Sequence, residues 1–276
     1  MLWLVLLSPS SAQYTVSYTS DGFSVYSGGK VVYATTETPD YVDFTYHNEP
    51  FDMWYVIGHC IGDGNWNNSP EYVGTSMFPM KPDNGIMITQ DPDGAFMSKG
   101  ILRFSCYPLA DATQGIKLIR KPGDWTEQWG ISDDGSLVKD CLSGSNVVSE
   151  SGFYTIELNT ADDVLYIYRI GDTQTTYESI CVRGSWDGWT ADKPMTLCPM
   201  NGFESHIWKT EIESDGTISF KFKTPGGWDA NWGGSIDDVF PYGNARNDGY
   251  DIRVPAGKWI VLFNDIDLSY ALVSKQ

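Results

Sequence analysis

One stretch that occurs twice in the chain decides the fold. Residues 220–233 read FKFKTPGGWDANWG, and residues 116–130 read IKLIRKPGDWTEQWG. Each copy contains an alternating apolar strand that carries a cation, then a Pro-Gly turn, then Trp-x-x-x-Trp-Gly. The Pro-Gly-x-Trp parts of the two copies superpose at an offset of 103 residues. Two aromatic, turn-rich segments at this spacing predict a duplicated domain.

The composition favours an all-β protein. The chain has 276 residues, of which 41% are hydrophobic and 14% aromatic, with 11 Trp, 16 Tyr and 28 Gly. Runs of Thr, Val and Ile alternate with clusters of Gly, Asp and Asn, which is the pattern of short strands joined by turns. We find no pattern that predicts a helix of three turns or more.

The boundaries of the units follow from the repeat. We predict a first repeat over 51–171 and a second over 175–276, each with seven or eight short alternating strands. That pattern is typical of a β-sandwich, immunoglobulin-like or carbohydrate-binding-module-like. The linker over 172–175 is polar and is expected to flex.

The N-terminal residues give two further predictions. Residues 13–50 contain strand-like runs but are too few for a separate sandwich, so we expect a partial β segment. Residues 1–12 hold an apolar run followed by small residues, which predicts an atypical or truncated signal segment and export. No run reaches the roughly 20 apolar residues that span a bilayer.

Charge and cysteine content exclude several functions. The net charge of −18 would repel phosphate backbones, so no nucleic-acid partner is expected, and the ligand should be neutral or held by stacking. The five cysteines contain no C-x-x-C pair, which argues against a zinc site, and their odd number argues against a full disulfide framework. Most should be buried thiols, with a Cys181–Cys198 bridge as the alternative. No cofactor or metal is predicted, since no stretch spells a D-x-D-x-D-G calcium loop.

Tryptophans in loops are the best candidates for ligand binding. They are Trp66, Trp125 and Trp129 in the first repeat and Trp186, Trp189, Trp228 and Trp232 in the second. Flat indole rings suit the apolar faces of pyranose sugars and lose little rotamer entropy on binding. The alternative is that these rings are core, and the Gly after Trp232 favours packing there. Trp54 and Trp259 lie in strand-like runs and should be structural.

Polar residues near these tryptophans complete the candidate site. Lys221 and Lys223 share one face of their strand and can donate hydrogen bonds to hydroxyl groups. Their counterpart in the first repeat is Lys117 if the strands are matched, or Arg120 if the turns are matched. Asn244, like the nearby Asn247, is either a sugar ligand or a turn residue.

No catalytic motif is present. The three histidines are isolated, without H-E-x-x-H, and no G-x-S-x-G serine elbow occurs. A glycosidase needs two carboxylates across a cleft, and nothing in the sequence singles out such a pair. We therefore predict that the protein is not an enzyme.

Three motifs carry a resemblance to a known family. They are Gly-x-x-x-Gly-x-Gly-x-Trp over 58–66, Phe-Lys-Phe-Lys before Gly-Gly-Trp over 220–228, and GFYTIELN over 152–159. Over residues 51–276 the chain resembles the SusE/SusF family of starch-binding outer-membrane lipoproteins of Bacteroidetes. The pattern departs from the family in two respects. No lipoprotein cysteine follows the apolar N-terminal run, and the N-terminal immunoglobulin-like domain is reduced to a short segment.

The resemblance implies a function and a set of site residues. It implies tandem β-sandwich domains at the cell surface that hold α-glucan for a transporter complex and an amylase, without catalysis. The family's stacking aromatics would fall on Trp186 or Trp189 and on Trp228 or Trp232, and its strand lysine on Lys221. The alternatives are a structural or assembly protein that binds an outer-membrane partner, and an auxiliary enzyme domain.

Overall fold

The computed structural model describes most of the two predicted repeats. The described residues are 54–82, 101–110, 115–132, 134–142, 144–145, 148–160, 162–203, 205–235, 238 and 240–275; for Pro82 and for the strands over 4–7, 13–19, 22–27, 30–34, 87–90 and 96–99, only the backbone is described. The predicted signal cleavage site at 10–12 lies outside these residues.

The regular secondary structure of the described residues is almost entirely strand. The strands are β1 Leu4–Leu7, β2 Gln13–Thr19, β3 Gly22–Ser27, β4 Lys30–Ala34, β5 Tyr55–Gly58, β6 Met77–Pro79, β7 Lys81–Pro82, β8 Met87–Gln90, β9 Phe96–Lys99, β10 Ile101–Cys106, β11 Ile116–Ile119, β12 Gln128–Ile131, β13 Leu137–Lys139, β14 Phe153–Asn159, β15 Val164–Gly171, β16 Cys181–Gly184, β17 Lys193–Pro194, β18 Thr196–Leu197, β19 Ile207–Ser214, β20 Ile218–Lys223, β21 Asn231–Gly233, β22 Tyr242–Asn244, β23 Arg246–Asn247, β24 Ile252–Val254, β25 Gly257–Asn264 and β26 Ser269–Ser274. The helical elements described are the one-turn 3-10 segments Pro70–Tyr72 and Ser185–Asp187. The predicted all-β fold is confirmed. The described residues hold no helix long and apolar enough to cross a membrane.

Two pairs of antiparallel sheets have the same strand order. In the first repeat one sheet runs β13-β12-β11-β5-β6 and the other β15-β14-β10-β7. In the second repeat the corresponding sheets run β23-β21-β20-β16-β17 and β22-β26-β25-β19-β18, with β24 paired to β20. Strands β1 to β4 form a separate four-stranded antiparallel sheet, and β8 pairs with β9. The exact boundaries of the two repeats, predicted at 51–171 and 175–276, stay predictions.

The strand register decides between the two counterparts of Lys221. Ile116 lies opposite Gly58 in the first repeat, and Phe220 lies opposite Gly184 in the second. One residue further along β11 and β20 are Lys117 and Lys221. Lys117 is therefore the structural counterpart of Lys221, as expected from matching the strands rather than the turns.

Alternation along β20 separates core from surface. Phe220 and Phe222 point inward and are fully buried, and the Phe222 ring stacks on Phe263 with centroids 4.4 Å apart. Lys221 and Lys223 point to the outer face of the same sheet because successive strand side chains alternate. One strand therefore supplies the centre of the second core and the cations outside it.

The two repeats share an apolar interface. The first hydrophobic core continues into the second repeat through Cys198, Met200, Ile207, Tyr242, Ile260, Leu262, Ala271 and Val273. Hydrogen bonds cross the junction as well: Lys209 Nζ donates to the Val73 carbonyl at 2.6 Å, and Asn264 Nδ2 donates to the Ser105 carbonyl at 2.7 Å. The flexibility of the linker stays a prediction, but the two repeats themselves are joined by this packing.

The five cysteines are free thiols. Four are buried, namely Cys60, Cys106, Cys181 and Cys198, so the alternative of a Cys181–Cys198 bridge does not apply. Burial raises the pKa of the Cys60 thiol to about 12 and that of Cys198 to about 12 as well. These thiols are protonated at neutral pH and pack as small apolar side chains.

Replacing Phe222 by Ala should destabilise the protein by about 3–5 kcal/mol, because a fully buried aromatic ring is lost from the second core. Urea unfolding followed by tryptophan fluorescence measures the change. Leu197→Ala is the matched control, since Leu197 is 49% exposed and its loss should cost less than about 0.5 kcal/mol. Equal losses in the two variants would contradict this assignment of the core.

Candidate functional site

Two tryptophans in the second repeat lie close together, and one of them, Trp228, contacts two cations. Trp228 lies on the turn between β20 and β21, and 39% of its surface is exposed. The Arg183 guanidinium and the Lys223 ammonium lie 5.4 and 5.5 Å from the centroid of its ring. Trp189 comes from the loop after β16, and its ring centroid is 6.0 Å from that of Trp228 with an angle of 51° between the planes. The two rings form an inclined aromatic pair.

Asp192 organises the cations beneath this pair. Its carboxylate accepts hydrogen bonds from Lys223 Nζ at 3.0 and 3.1 Å and from Arg183 Nε at 2.7 Å. It also accepts one from the backbone N–H of Gly226 at 3.0 Å, which ties the turn that carries Trp228 to the sheet. Burial tends to raise the pKa of Asp192, but these hydrogen bonds and cations lower it below its ordinary value overall.

The Lys223 ammonium has hydrogen-bond acceptors around it although the side chain is fully buried. Besides Asp192, its ammonium donates to the carbonyls of Thr224 at 2.6 Å and Gly226 at 3.2 Å. A buried charge is stable only when it is paired and hydrogen-bonded, which is the case here. The Lys223 side chain therefore supports the turn from below and is not itself open to solvent.

The Trp189 loop is held in an unusual backbone conformation. Trp189 has φ +65°, a value that is rare for a bulky residue, and it follows Gly188 at φ +72°. The Trp189 N–H donates to the Gly184 carbonyl at 3.0 Å. The carboxylate of Asp187 accepts the N–H groups of Thr190 and Ala191. Such local strain persists only where surrounding contacts hold it, and it is concentrated at functional sites.

The first repeat contains an equivalent aromatic pair. The rings of Trp66 and Trp125 have centroids 6.5 Å apart and an interplanar angle of 55°. The Lys117 ammonium lies 5.9 Å from the Trp66 centroid and 5.8 Å from that of Trp125. It donates to Gln128 Oε1 at 2.9 Å and to the Leu142 carbonyl at 3.1 Å. Burial lowers the pKa of Lys117, and its neutral hydrogen-bond partners do not offset this effect.

The two pairs are built from the same parts of the fold. Trp66 and Trp189 lie on the loop that follows the first strand of each repeat's sheet. Trp125 and Trp228 lie on the Pro-Gly turn between the next two strands of that sheet. The cations differ, since Lys117 corresponds to Lys221 whereas the ammonium under Trp228 belongs to Lys223.

Several predicted tryptophans lie outside these pairs. Trp232 is only 5% exposed and packs edge to face on Tyr177, within the second core. Trp129 packs against Trp54 with centroids 4.6 Å apart. Trp186 folds back over Gly184, so closely that a Cβ on that glycine would lie 2.3 Å from its ring. These three rings support the sheets that carry the pairs.

The remaining predicted polar residues have other contacts. Arg120 lies 5.7 Å from the Trp54 ring and 3.8 Å from Glu127. Lys221 lies 3.8 Å from Asp251. Asn244 belongs to β22 in the opposite sheet, where its backbone N–H donates to Asp238. None of these contacts involves either aromatic pair.

Two residues that organise the second site were missed by sequence reasoning. Arg183 could have been found, because it follows the fully buried Val182 in β16 and must face outward by alternation. Asp192 carries no signal in the sequence, since many acids occur in loops. Among the described residues, no group of three or more His, Cys, Asp or Glu side chains is arranged to hold a metal ion.

Comparison with known proteins shows a distant structural likeness. No family model and no curated protein matches the chain. Among solved structures it is similar to the crystal structure of SusF from Bacteroides thetaiotaomicron, with 14% sequence identity and a TM-score of 0.25. The match covers 92% of this chain and 57% of that chain, so this chain spans little more than half of that structure's length.

Asp192→Asn should lower the thermal unfolding midpoint by several degrees at pH 7, because the buried Lys223 loses its carboxylate partner. The pKa of Asp192 is lowered in the folded state, so its contribution is complete above about pH 4 and is lost as the pH falls further. The difference between wild type and variant should therefore shrink below pH 4. Asp215→Asn, at an exposed acid, is the control and should behave like wild type throughout. A difference that stays constant down to pH 3 would contradict the pairing.

Proposed function

We propose that this protein is a non-catalytic glycan-binding protein with two binding sites, the Trp66–Trp125 pair and the Trp189–Trp228 pair. One observation carries the proposal: the same inclined tryptophan pair over a hydrogen-bonded cation is built twice, from equivalent loops. Trp66 and Trp125 also pack partly against the first core, but core packing requires neither the exposure of Trp228 nor the strained backbone at Trp189. Binding of a ligand at these rings accounts for both.

The chemistry of the pairs suits sugars. The face of an indole ring is apolar and electron-rich, so it packs against the C–H face of a pyranose ring. The cation under each pair fixes the orientation of the rings by a cation–π contact. Rings that are already fixed lose little entropy when a sugar stacks on them. A neutral polymer is also not repelled by a protein with a net charge of −18.

The angle between the rings favours an α-glucan as ligand. Interplanar angles of 55° and 51° give each pair a bent surface rather than a flat one. The helical chain of a starch-like α-glucan turns its sugar faces along such a curve. A flat, extended β-linked chain would contact only one ring of each pair. We propose on this ground, and on the family resemblance, that the protein holds α-glucan at the outer membrane or cell surface, for an outer-membrane transporter complex.

Single variants at the rings should weaken retention by polysaccharide. In affinity electrophoresis with starch or pullulan, Trp125→Ala and Trp228→Ala should each lower affinity at their own site about tenfold, since one stacking ring is lost. The double variant should migrate as it does in a gel without polysaccharide. Trp66→Ala and Trp189→Ala should reproduce the two single losses.

Tyr166→Ala is the matched control for these variants. Tyr166 is 53% exposed on β15, in the sheet opposite the first aromatic pair, so its loss should leave migration unchanged. Incubation of the wild type with starch should release no new reducing ends. If neither pair affects retention by any polymer, the proposal is wrong, and the predicted role in binding a partner protein becomes the better one.

The inclined rings should also discriminate between polymers. Gels that contain starch or pullulan should retard the protein more strongly than gels with xylan or mannan, because the latter chains are extended. Dextran tests whether the α configuration alone is enough. Retention by xylan or mannan alone would support glycan binding but would contradict the preference for α-glucan that was argued from the ring angle.

A further inference from the structure

The loop that carries Trp66 depends on two glycines in the left-handed region. It runs from Gly58, at the end of β5, to Trp66. Gly62 has φ +58° and Gly64 has φ +72°, values that other residues adopt only with strain. Within the first repeat, the N–H of Asp63 donates to the Thr75 carbonyl at 3.0 Å. A loop of this kind is flexible unless further contacts hold it.

Leu109 of the first repeat holds part of the loop, since its N–H donates to the Cys60 carbonyl at 2.8 Å, and the second repeat supplies further contacts. Asn201 Nδ2 donates to the His59 carbonyl at 2.5 Å, and the Asn201 backbone N–H donates to the Gly62 carbonyl at 2.6 Å. The Gly62 N–H in turn points to the Met200 sulfur at 3.4 Å. Both sides of the loop's first turn are therefore bound by two consecutive residues of the other repeat.

The contacts of Asn201 extend toward the aromatic pair. The His59 ring lies 5.6 Å from the Trp66 ring, so fixing the His59 backbone also fixes a neighbour of Trp66. At Gly64, a Cβ would lie 2.5 Å from Asn201 Oδ1, which shows how closely the loop fits the asparagine. Asn201 itself has φ +50°, a conformation that asparagine tolerates better than most residues.

We propose that Asn201 is a positioning residue for the first aromatic pair, so that the second repeat completes the binding site of the first. The inference rests on the proposed function of the Trp66–Trp125 pair. The two sites then differ in construction. The Trp189 loop is held by Gly184 and Asp187 of its own repeat, whereas the Trp66 loop is held in addition by contacts across the junction.

The decisive variant is Asn201→Gly, because glycine keeps the positive φ and the backbone hydrogen bond and removes only the side chain. It is made in the full chain in two backgrounds: Trp228→Ala, which leaves the first site, and Trp125→Ala, which leaves the second. Affinity for pullulan should fall about three- to tenfold in the first background, the equivalent of one lost hydrogen bond. It should change less than about twofold in the second. A general loss of stability would lower both.

Hydrogen exchange of the free protein gives a readout that needs no glycan. The amides of Asp63 and Gly64 are hydrogen-bonded within the loop and should exchange several-fold faster in Asn201→Gly. The matched control is Asn264→Ala, which also removes a hydrogen bond between the repeats, but one to the Ser105 carbonyl of β10 rather than to the Trp66 loop. It should change neither the exchange of these amides nor the affinity of the first site.

The outcomes separate this inference from the proposed function. Loss of first-site affinity and faster loop exchange in Asn201→Gly, with neither in Asn264→Ala, support the positioning role. Unchanged loop exchange in Asn201→Gly, or equal effects of the two variants, overturns it. If pullulan and starch do not retard the wild type, the proposed function fails, and loop exchange alone decides whether Asn201 positions the Trp66 loop.

Discussion

The strict alternation of side chains along a strand is the constraint on which both the core and the candidate sites depend. In β20 it sends Phe220 and Phe222 into the second core and leaves Lys221 and Lys223 on the outer face. In β11 it buries Leu118 inside and places Lys117 outside, beneath two tryptophans. A register shift of one residue would exchange these faces, so the core and the sites are specified together.

In both repeats a buried ammonium lies against an aromatic pair and needs partners that stabilise its charge. The partners differ between the repeats. Lys223 is fully buried and is balanced by the carboxylate of Asp192. Lys117 has the neutral oxygens of Gln128 and Leu142 as its partners, and its pKa is lowered by burial. A carboxylate holds a buried ammonium more strongly than neutral oxygens do, because the hydrogen bonds are charge-assisted. The second site is therefore the one in which the cation is more firmly held.

The sequence predicts the fold better than it predicts which tryptophans form the two aromatic pairs. Strand alternation and the repeat at residues 116–130 and 220–233 were sufficient for the all-β sandwich. All four paired tryptophans were among the seven loop tryptophans that the sequence marked as candidates, but the sequence did not show which of the seven form pairs. Trp232 lies in a strand and faces the core, as the glycine that follows it had favoured. Only strand pairing resolved Lys117 from Arg120.

Contacts between distant residues explain what the sequence did not predict. Asp192 meets Lys223 across 31 residues, and Asn201 meets His59 across 142. Neither pairing follows from local periodicity, because each depends on how loops meet after the sheets have formed. The apolar residues that the second repeat contributes to the first core were not predicted either, because that contact depends on how the sheets of the two repeats meet.

Shared packing has a consequence for how two sites would act on one polymer. With a flexible linker, the effective concentration of the second site would follow from linker length, and many chain geometries would be accepted. With the repeats fixed by a common core and by Asn201, the distance and angle between the pairs are set by the fold instead. Both sites then bind one glycan chain at the same time only if the conformation of that chain matches this spacing. Selectivity for polymer shape would thus arise from the junction between the repeats as much as from the tryptophans themselves.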